Sequence, residues 1–177
     1  SILHTYQDDF AKYARHAELN RLHKILHVFP QIAGKKVKYS HISGEERAAT
    51  IKLAIDLLVR ARLLITVTHS HCSGLPLNAG MDDKVYKLFF LDVGLFNHLC
   101  GLDWSALSRM NERELINEGS LAEQFVAQHL AYGSGGLESP ELFYWLRESK
   151  SVNAEIDFVI SSGRHIVPVE VKSGKGG

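Results

Sequence analysis

Twelve residues separate Asp157 from Glu170-Val-Lys172 near the C-terminal end of the chain, and Glu155 lies two positions before the aspartate. Carboxylates and a lysine brought within reach of one another could share a ligand such as a divalent cation. Side chains alternate along a strand, so Glu155 shares a face with Asp157, and Glu170 shares one with Lys172. The intervening Ser161-Ser-Gly-Arg164 reads as a hairpin turn centred on Ser162 and Gly163. That centre pairs residue 160 with 165, sets Glu155 opposite Glu170 and leaves Asp157 diagonal to Glu170. It also places Pro168 in a non-hydrogen-bonded pair, where its missing N–H matters least. Opposed carboxylates repel, so a divalent cation, Lys172, a raised pKa or solvent exposure must relieve them. A weak Mg²⁺-like site, completed by water, is expected. Ile156, Phe158 and Ile160, with Val167, Val169 and Val171, form the opposite face and predict core. The competing reading is an ordinary hairpin whose polar face meets water.

These residues need a helix and a sheet to position them. Gly119 to Leu130 reads as a helix carrying Glu123, and Leu142-Phe-Tyr-Trp-Leu146 as a buried strand ahead of the hairpin. Asp92 is the expected N-cap of a helix over Val93–Leu99, with interrupted helix continuing past Trp104 and from Glu112 to Asn117. The first half opens with helices over 6–15 and 18–32, the second ending at Gly34. A long helix is predicted from Glu45 to Leu64, capped by Ser43 or Gly44. Ala48, Ile51, Ile55, Leu58 and Arg62 form its stripe, widened by Ala54 and Ala61. Leu64 to Thr68 reads as a strand, 69–83 as a loop broken by Gly74, Pro76, Asn78 and Gly80, and Lys84 to Leu91 as a second strand.

Helices, a long helix, then strand–loop–strand is the order of a winged helix. The expected fold class is therefore mixed α+β: a winged-helix-like segment over 1–91 and a smaller α/β domain over 92–177. A winged helix sets Arg47, Thr50, Lys52 and Arg60 near a DNA groove, with Lys35, Lys36 and Lys38 on phosphates. The same shape also docks proteins, and Glu45, Glu46 and Asp56 on the helix suit that use. The formal net charge is +0, yet residues 1–80 hold 11 Lys or Arg against 6 Asp or Glu, while 81–177 hold 9 against 14. Phosphate contact is thus expected in the first half and a cation site in the second.

Other chemistry is sparse. His69-Ser-His71-Cys72 offers zinc-ligand types without a fourth partner at suitable spacing. Cys72 and Cys100 are too few for a disulfide framework, which fits a reducing cytoplasm. No run approaches the roughly 20 apolar residues of a membrane span. A G-x-x-x-x-G-K-[ST] loop is absent, so this chain does not hydrolyse ATP by a P-loop mechanism.

The order Glu123, Asp157, Glu170-Val-Lys172 resembles the PD-(D/E)xK nuclease superfamily, with Ile156 where that pattern carries proline. The resemblance implies a restriction-endonuclease-like core and a catalytic set of Asp157, Glu170, Lys172 and Glu123. In it Asp157, Glu170 and Glu123 hold Mg²⁺ or Mn²⁺, and Lys172 orients or activates the attacking water. A wider set of segments is similar to the C-terminal region of bacterial and archaeal AAA-type ATPases. These are Phe10-Ala-Lys-Tyr13, Gly34 to Ser40, Lys87 to Leu95, Gly119 to Val126, Phe143 to Arg147 and Glu155 to Val159, in that order. In that group a P-loop ATPase domain precedes a winged helix and a nuclease-like domain. The resemblance implies that ATP belongs to a domain upstream of this chain, and that the nuclease-like fold continues beyond Lys172. Two functions follow from it: a Mg²⁺-dependent DNA endonuclease, or a catalytically idle module coupling the ATPase to DNA or to a protein partner.

Overall fold

A computed structural model describes residues 16–102, 118–133, 140–149 and 152–172. The helices expected over 6–15, past Trp104 and from Glu112 to Asn117 lie outside the described residues, as does most of Gly133–Gly136. Helix α1 (His16–Ile32) buries Leu22, Ile25, Leu26 and Phe29, which recur at helical spacing. Gly34, at φ +70°, turns the chain off this helix in the left-handed conformation that glycine tolerates. The following residues run along strand β2 (Met81–Phe90), with Gly34 N–H bonded to Leu88 O and Val37 N–H to Tyr86 O.

A short helix, α2 (Tyr39–Ile42), occupies a stretch for which the sequence suggested no element. Ser43, expected to start the long helix, ends α2 and receives a hydrogen bond from Lys24 Nζ at 2.9 Å. Helix α3 (Ala48–Arg60) is shorter at both ends than the predicted Glu45–Leu64. Its N-cap, Arg47, makes no side-chain capping bond, and Glu46 pairs instead with Arg21 of α1. At the other end Arg62 adopts φ +57°, which no helix can continue. Ile51, Ala54, Ile55 and Leu58 are buried as the stripe requires, whereas Leu53 and Leu57 face solvent.

Strands β1 (Leu64–Ser70), β2, β3 (Leu142–Arg147), β4 (Ala154–Ser162) and β5 (His165–Val169) form one five-stranded mixed sheet in the order β2-β1-β3-β4-β5. The pair β1–β2 is antiparallel, and β1 also pairs in parallel with β3, Val67 against Leu142 and His69 against Tyr144. The strands expected to form a wing thus lie inside the same sheet as the C-terminal hairpin. The sheet runs across the position, between residues 91 and 92, where two domains were expected. β1 also extends to Ser70, so His69 is a strand residue and not part of a loop. On one face, α1, α2, α3 and α4 (Val93–Leu99) pack over Leu64, Leu88 and Phe90. On the other, α5 (Glu118–Gly133) lays Ala127 and Ala131 over Ile65, Val67, Phe89, Tyr144 and Phe158. Among the described residues no helix is long and apolar enough to cross a membrane.

The C-terminal hairpin forms, with a register two residues from the expected one. Ser162 pairs with His165 and Ile160 with Val167, so the turn is Gly163-Arg164. Gly163, at φ +58°, takes the first central position, as a type II′ turn requires. Continuing that register brings Asp157, and not Glu155, level with Glu170. Pro168 opposes Val159 on the edge strand, in a non-hydrogen-bonded pair counted from the turn, as its chemistry demands.

A shift of two leaves the strand faces unchanged; a β-bulge changes them. Against β3, Phe143 faces Val159 and Trp145 faces Ile156, so Asp157 and Phe158 together oppose Tyr144. Ile156 and Val159 consequently pack on one side with Phe143 and Trp145, while Phe158 packs on the other beneath α5. The single apolar face expected from Ile156, Phe158 and Ile160 is therefore split between the two sides of the sheet.

Two glutamines one turn apart fix α5. Phe90 N–H donates to Gln124 Oε1 at 2.8 Å, and Gln124 Nε2 donates to Phe90 O at 2.6 Å. Val93 N–H donates to Gln128 Oε1 at 2.7 Å. Gln124 is fully buried, so its loss strands two backbone groups out of water. Gln124→Ala should cost about 3 kcal/mol in urea unfolding and Gln128→Ala about 1 kcal/mol. Equal small losses in both would remove Gln124 from this role.

Candidate functional site: a buried lysine among carboxylates

Clamped by its glutamines, α5 holds Glu123 over the sheet. Beneath it β2 presents Lys87 within Tyr86–Phe90, a run whose every member is buried. Lys87 is 1% exposed. An ammonium so far from water costs several kcal/mol unless it is paired. Its Nζ forms an ion pair with Glu155 of β4 and stands 3.6 Å from Glu123 Oε2, over the Tyr144 ring at 5.1 Å from the centroid. At 3.6 Å the contact with Glu123 is an ion pair without a hydrogen bond, and Glu123 Oε2, itself out of solvent, has no donor. Gly34 leaves room for this carboxylate, since a Cβ there would stand 3.1 Å from Glu123 Oε2.

The charges around Lys87 do not cancel. Burial lifts the Glu123 carboxyl above its ordinary range; Lys87 draws it back, and Asp157 and Glu155 push it up again. Asp157, at the bulge, accepts a hydrogen bond from Val171 N–H at 2.8 Å, which ties the chain beyond β5 to β4. Tyr144 is fully buried, and its hydroxyl has no hydrogen-bond partner. Burial, then the Glu155 charge, holds that phenol protonated far above its usual range. His69, beside Tyr144 at a ring distance of 5.7 Å, is also buried, with Nδ1 unpartnered. Burial, followed by the neighbouring His71, lowers its pKa and keeps the ring neutral.

The residues picked out in the sequence divide. Glu123, Glu155 and Asp157 lie on the α5 side of the sheet. Glu170 and Lys172 do not join them: Val169 and Val171 pack with the α5-side cluster, and the residues alternating with them are exposed. Lys172 Nζ pairs with Glu170 at 3.3 Å, and its side chain is 78% exposed. Among the described residues no three of His, Cys, Asp and Glu gather closely enough to hold a metal, the His69–Cys72 stretch included. Glu123 is turned to Lys87 and Glu170 to Lys172, so the structure does not bring Asp157, Glu170 and Glu123 around one point. Lys87 escaped the sequence reading. The available signal was a lysine alternating with Val85 and Phe89 in a strand otherwise apolar from Leu88 to Leu91, a position that demands a buried counter-charge.

The cations expected on DNA are dispersed. Lys35 Nζ donates to Gln31 O at 3.0 Å, and Lys36 Nζ pairs with Glu148 at 2.8 Å. That pairing holds the Glu148 carboxyl below its ordinary range. Lys38 and Arg47 are the N-cap residues of α2 and α3, and both are exposed, as is Arg60 at the end of α3; Lys52 is half-buried.

A family profile described as a domain of unknown function (DUF8612) matches residues 1–106, more than half of the chain, and the chain belongs to that family. A second profile, also described as a domain of unknown function (DUF4143), matches residues 118–177. DUF4143 is a domain often found with AAA ATPases. No curated protein and no solved structure matches the chain.

The state of Glu123 gives the fold a pH dependence of definite sign. A carboxyl whose folded-state pKa is raised keeps a proton that the unfolded chain releases. Its contribution is fully present below the ordinary glutamate pKa and is lost as pH rises through the raised value. Urea midpoints measured between about pH 4 and 8 should therefore show a decline with rising pH that is flattened in Glu123→Gln. Identical slopes in the two proteins would assign the decline to other groups.

Proposed function

We propose that this member of the DUF8612 family is an accessory module of an AAA-type ATPase system, one that docks a protein partner and does not cut phosphodiester bonds. The observation that carries this reading is the outward turn of Glu170 and Lys172. Metal-assisted hydrolysis needs its ligands and its water-activating group around one point. Here Lys172 pairs with Glu170 in solvent, while Glu123 and Glu155 are turned to Lys87. The exposed face of α3 supports docking, since Leu53 is 65% and Leu57 41% exposed one turn apart. The DUF4143 match supports an ATPase as the neighbour.

The chain, Asp157→Ala and Lys172→Ala, each incubated with supercoiled plasmid and Mg²⁺ or Mn²⁺, should all leave the plasmid intact. Cleavage by the wild type that both substitutions abolish would replace docking with the endonuclease reading.

Exposed Lys35, Lys38, Arg47 and Arg60 favour a second reading, in which the first half holds DNA phosphates. In that case log affinity falls with log salt at a slope of about −0.9 per phosphate neutralised. Replacing Lys38, Arg47 and Arg60 together by alanine flattens the slope. Undetectable binding at low salt would leave protein docking alone.

A further inference from the structure

We propose that the exposed face of α3 docks a second copy of this chain, the two helices lying antiparallel about a twofold axis. The inference rests on the docking reading for its surface and names the partner.

Three features of α3 carry it. The first is a helix apolar on two sides. Ile51, Ala54, Ile55 and Leu58 fill the core, while on the solvent side Ala49, Leu53 and Leu57 recur at every fourth residue, Leu53 65% and Leu57 41% exposed. A helix with water on one side ordinarily spreads charge across that side. Here the charged residues of the helix, Lys52, Asp56 and Arg60, also recur at every fourth residue, and so form one row along a single flank of the leucines. The second feature is that this row complements itself when reversed. A twofold axis lying in the contact, at right angles to the helix, keeps both charge rows on the same flank and runs them in opposite directions. Set at the level of residue 54, it brings Lys52 level with Asp56 of the second copy, and Asp56 level with its Lys52. Among the described residues neither Lys52 nor Asp56 is held in an ion pair. The third feature is that the same register interleaves the apolar rows. Leu53 of the second copy falls between Leu53 and Leu57, and its Leu57 falls between Ala49 and Leu53, where the small alanine admits it. A parallel pairing would send the charge rows to opposite flanks and leave them unmatched. The charge pattern thus selects a second copy over an apolar partner of any other kind.

One helix pair buries less than the roughly 1,200 Å² at the low end of stable interfaces, so the dimer should be weak. Sedimentation equilibrium of the chain from about 20 µM to about 1 mM should show the average mass climbing toward twice that of the monomer. Leu53→Ser, a change at an exposed position, should stay monomeric across that range. Lys52→Glu and Asp56→Lys each set like charges level with one another, and each should weaken pairing roughly tenfold. Combined, they restore opposite charges in reversed order, and the association should return to within about threefold of the wild type. A chain that is monomeric at the highest concentration, pairing that Leu53→Ser leaves intact, or a double variant no better than its single parents overturns the proposal. The two readings fail separately. Plasmid cleavage by a chain that pairs through Leu53 sinks the accessory-module reading and leaves the α3 contact standing. A monomeric chain that leaves plasmid intact does the reverse, and any docking then belongs to a different protein.

Discussion

A charge cannot leave water in the middle of a sheet without an opposite charge to meet it, and Lys87 sets that condition for this protein. Its strand lies under α5, so the helix must offer a carboxylate, which is Glu123. Strand β4 must offer another on the same face, which is Glu155. The structure meets both demands with backbone devices. Gln124 and Gln128 lock α5 to the end of β2 and to the start of α4, and Gly34 leaves the Glu123 carboxylate room.

The bulge at Asp157-Phe158 serves the same condition from β4. Without it, strict alternation would put Glu155, Asp157 and Val159 on one face, and a valine would stand where the sheet holds its charges. With it, Val159 packs with Phe143 and Trp145 on the far side, and Phe158 reaches the core beneath α5. The cost is a local loss of pairing, offset in part by the bond from Val171 N–H to Asp157. That bond also fixes where the chain leaves the sheet, which leaves Glu170 and Lys172 in solvent.

Several local signals in the sequence were faithful to the structure, although the cap offered for the long helix at Ser43 or Gly44 was not. Asp92 caps α4 through the Leu95 N–H, α1 stops at Gly34, the Leu142 strand and the hairpin exist, and Glu123 lies on its helix. What escaped depends on partners distant in sequence. The parallel pairing of β1 with β3 joins residues more than seventy positions apart and leaves no periodic trace. The bulge preserves the alternating pattern in the sequence while inverting it in space. The hairpin register turned on which residue after Ser161 opens the turn, and Gly163 in first position settled it. Lys87 was read as one more strand residue because enrichment in apolar and aromatic neighbours says nothing of an isolated charge among them.

The parallel pairing also bears on how the chain could be divided. β1 belongs to the first half by sequence, yet its second edge is closed by β3 from the other half. A cut between β2 and α4 would leave each piece with unpaired N–H and C=O groups along a strand that is central in the intact sheet. Such pieces are built to seek one another, or to seek any other open strand. The two family regions that meet in this chain are therefore halves of one hydrogen-bonded surface, and their separation would be paid in aggregation before it was paid in lost activity.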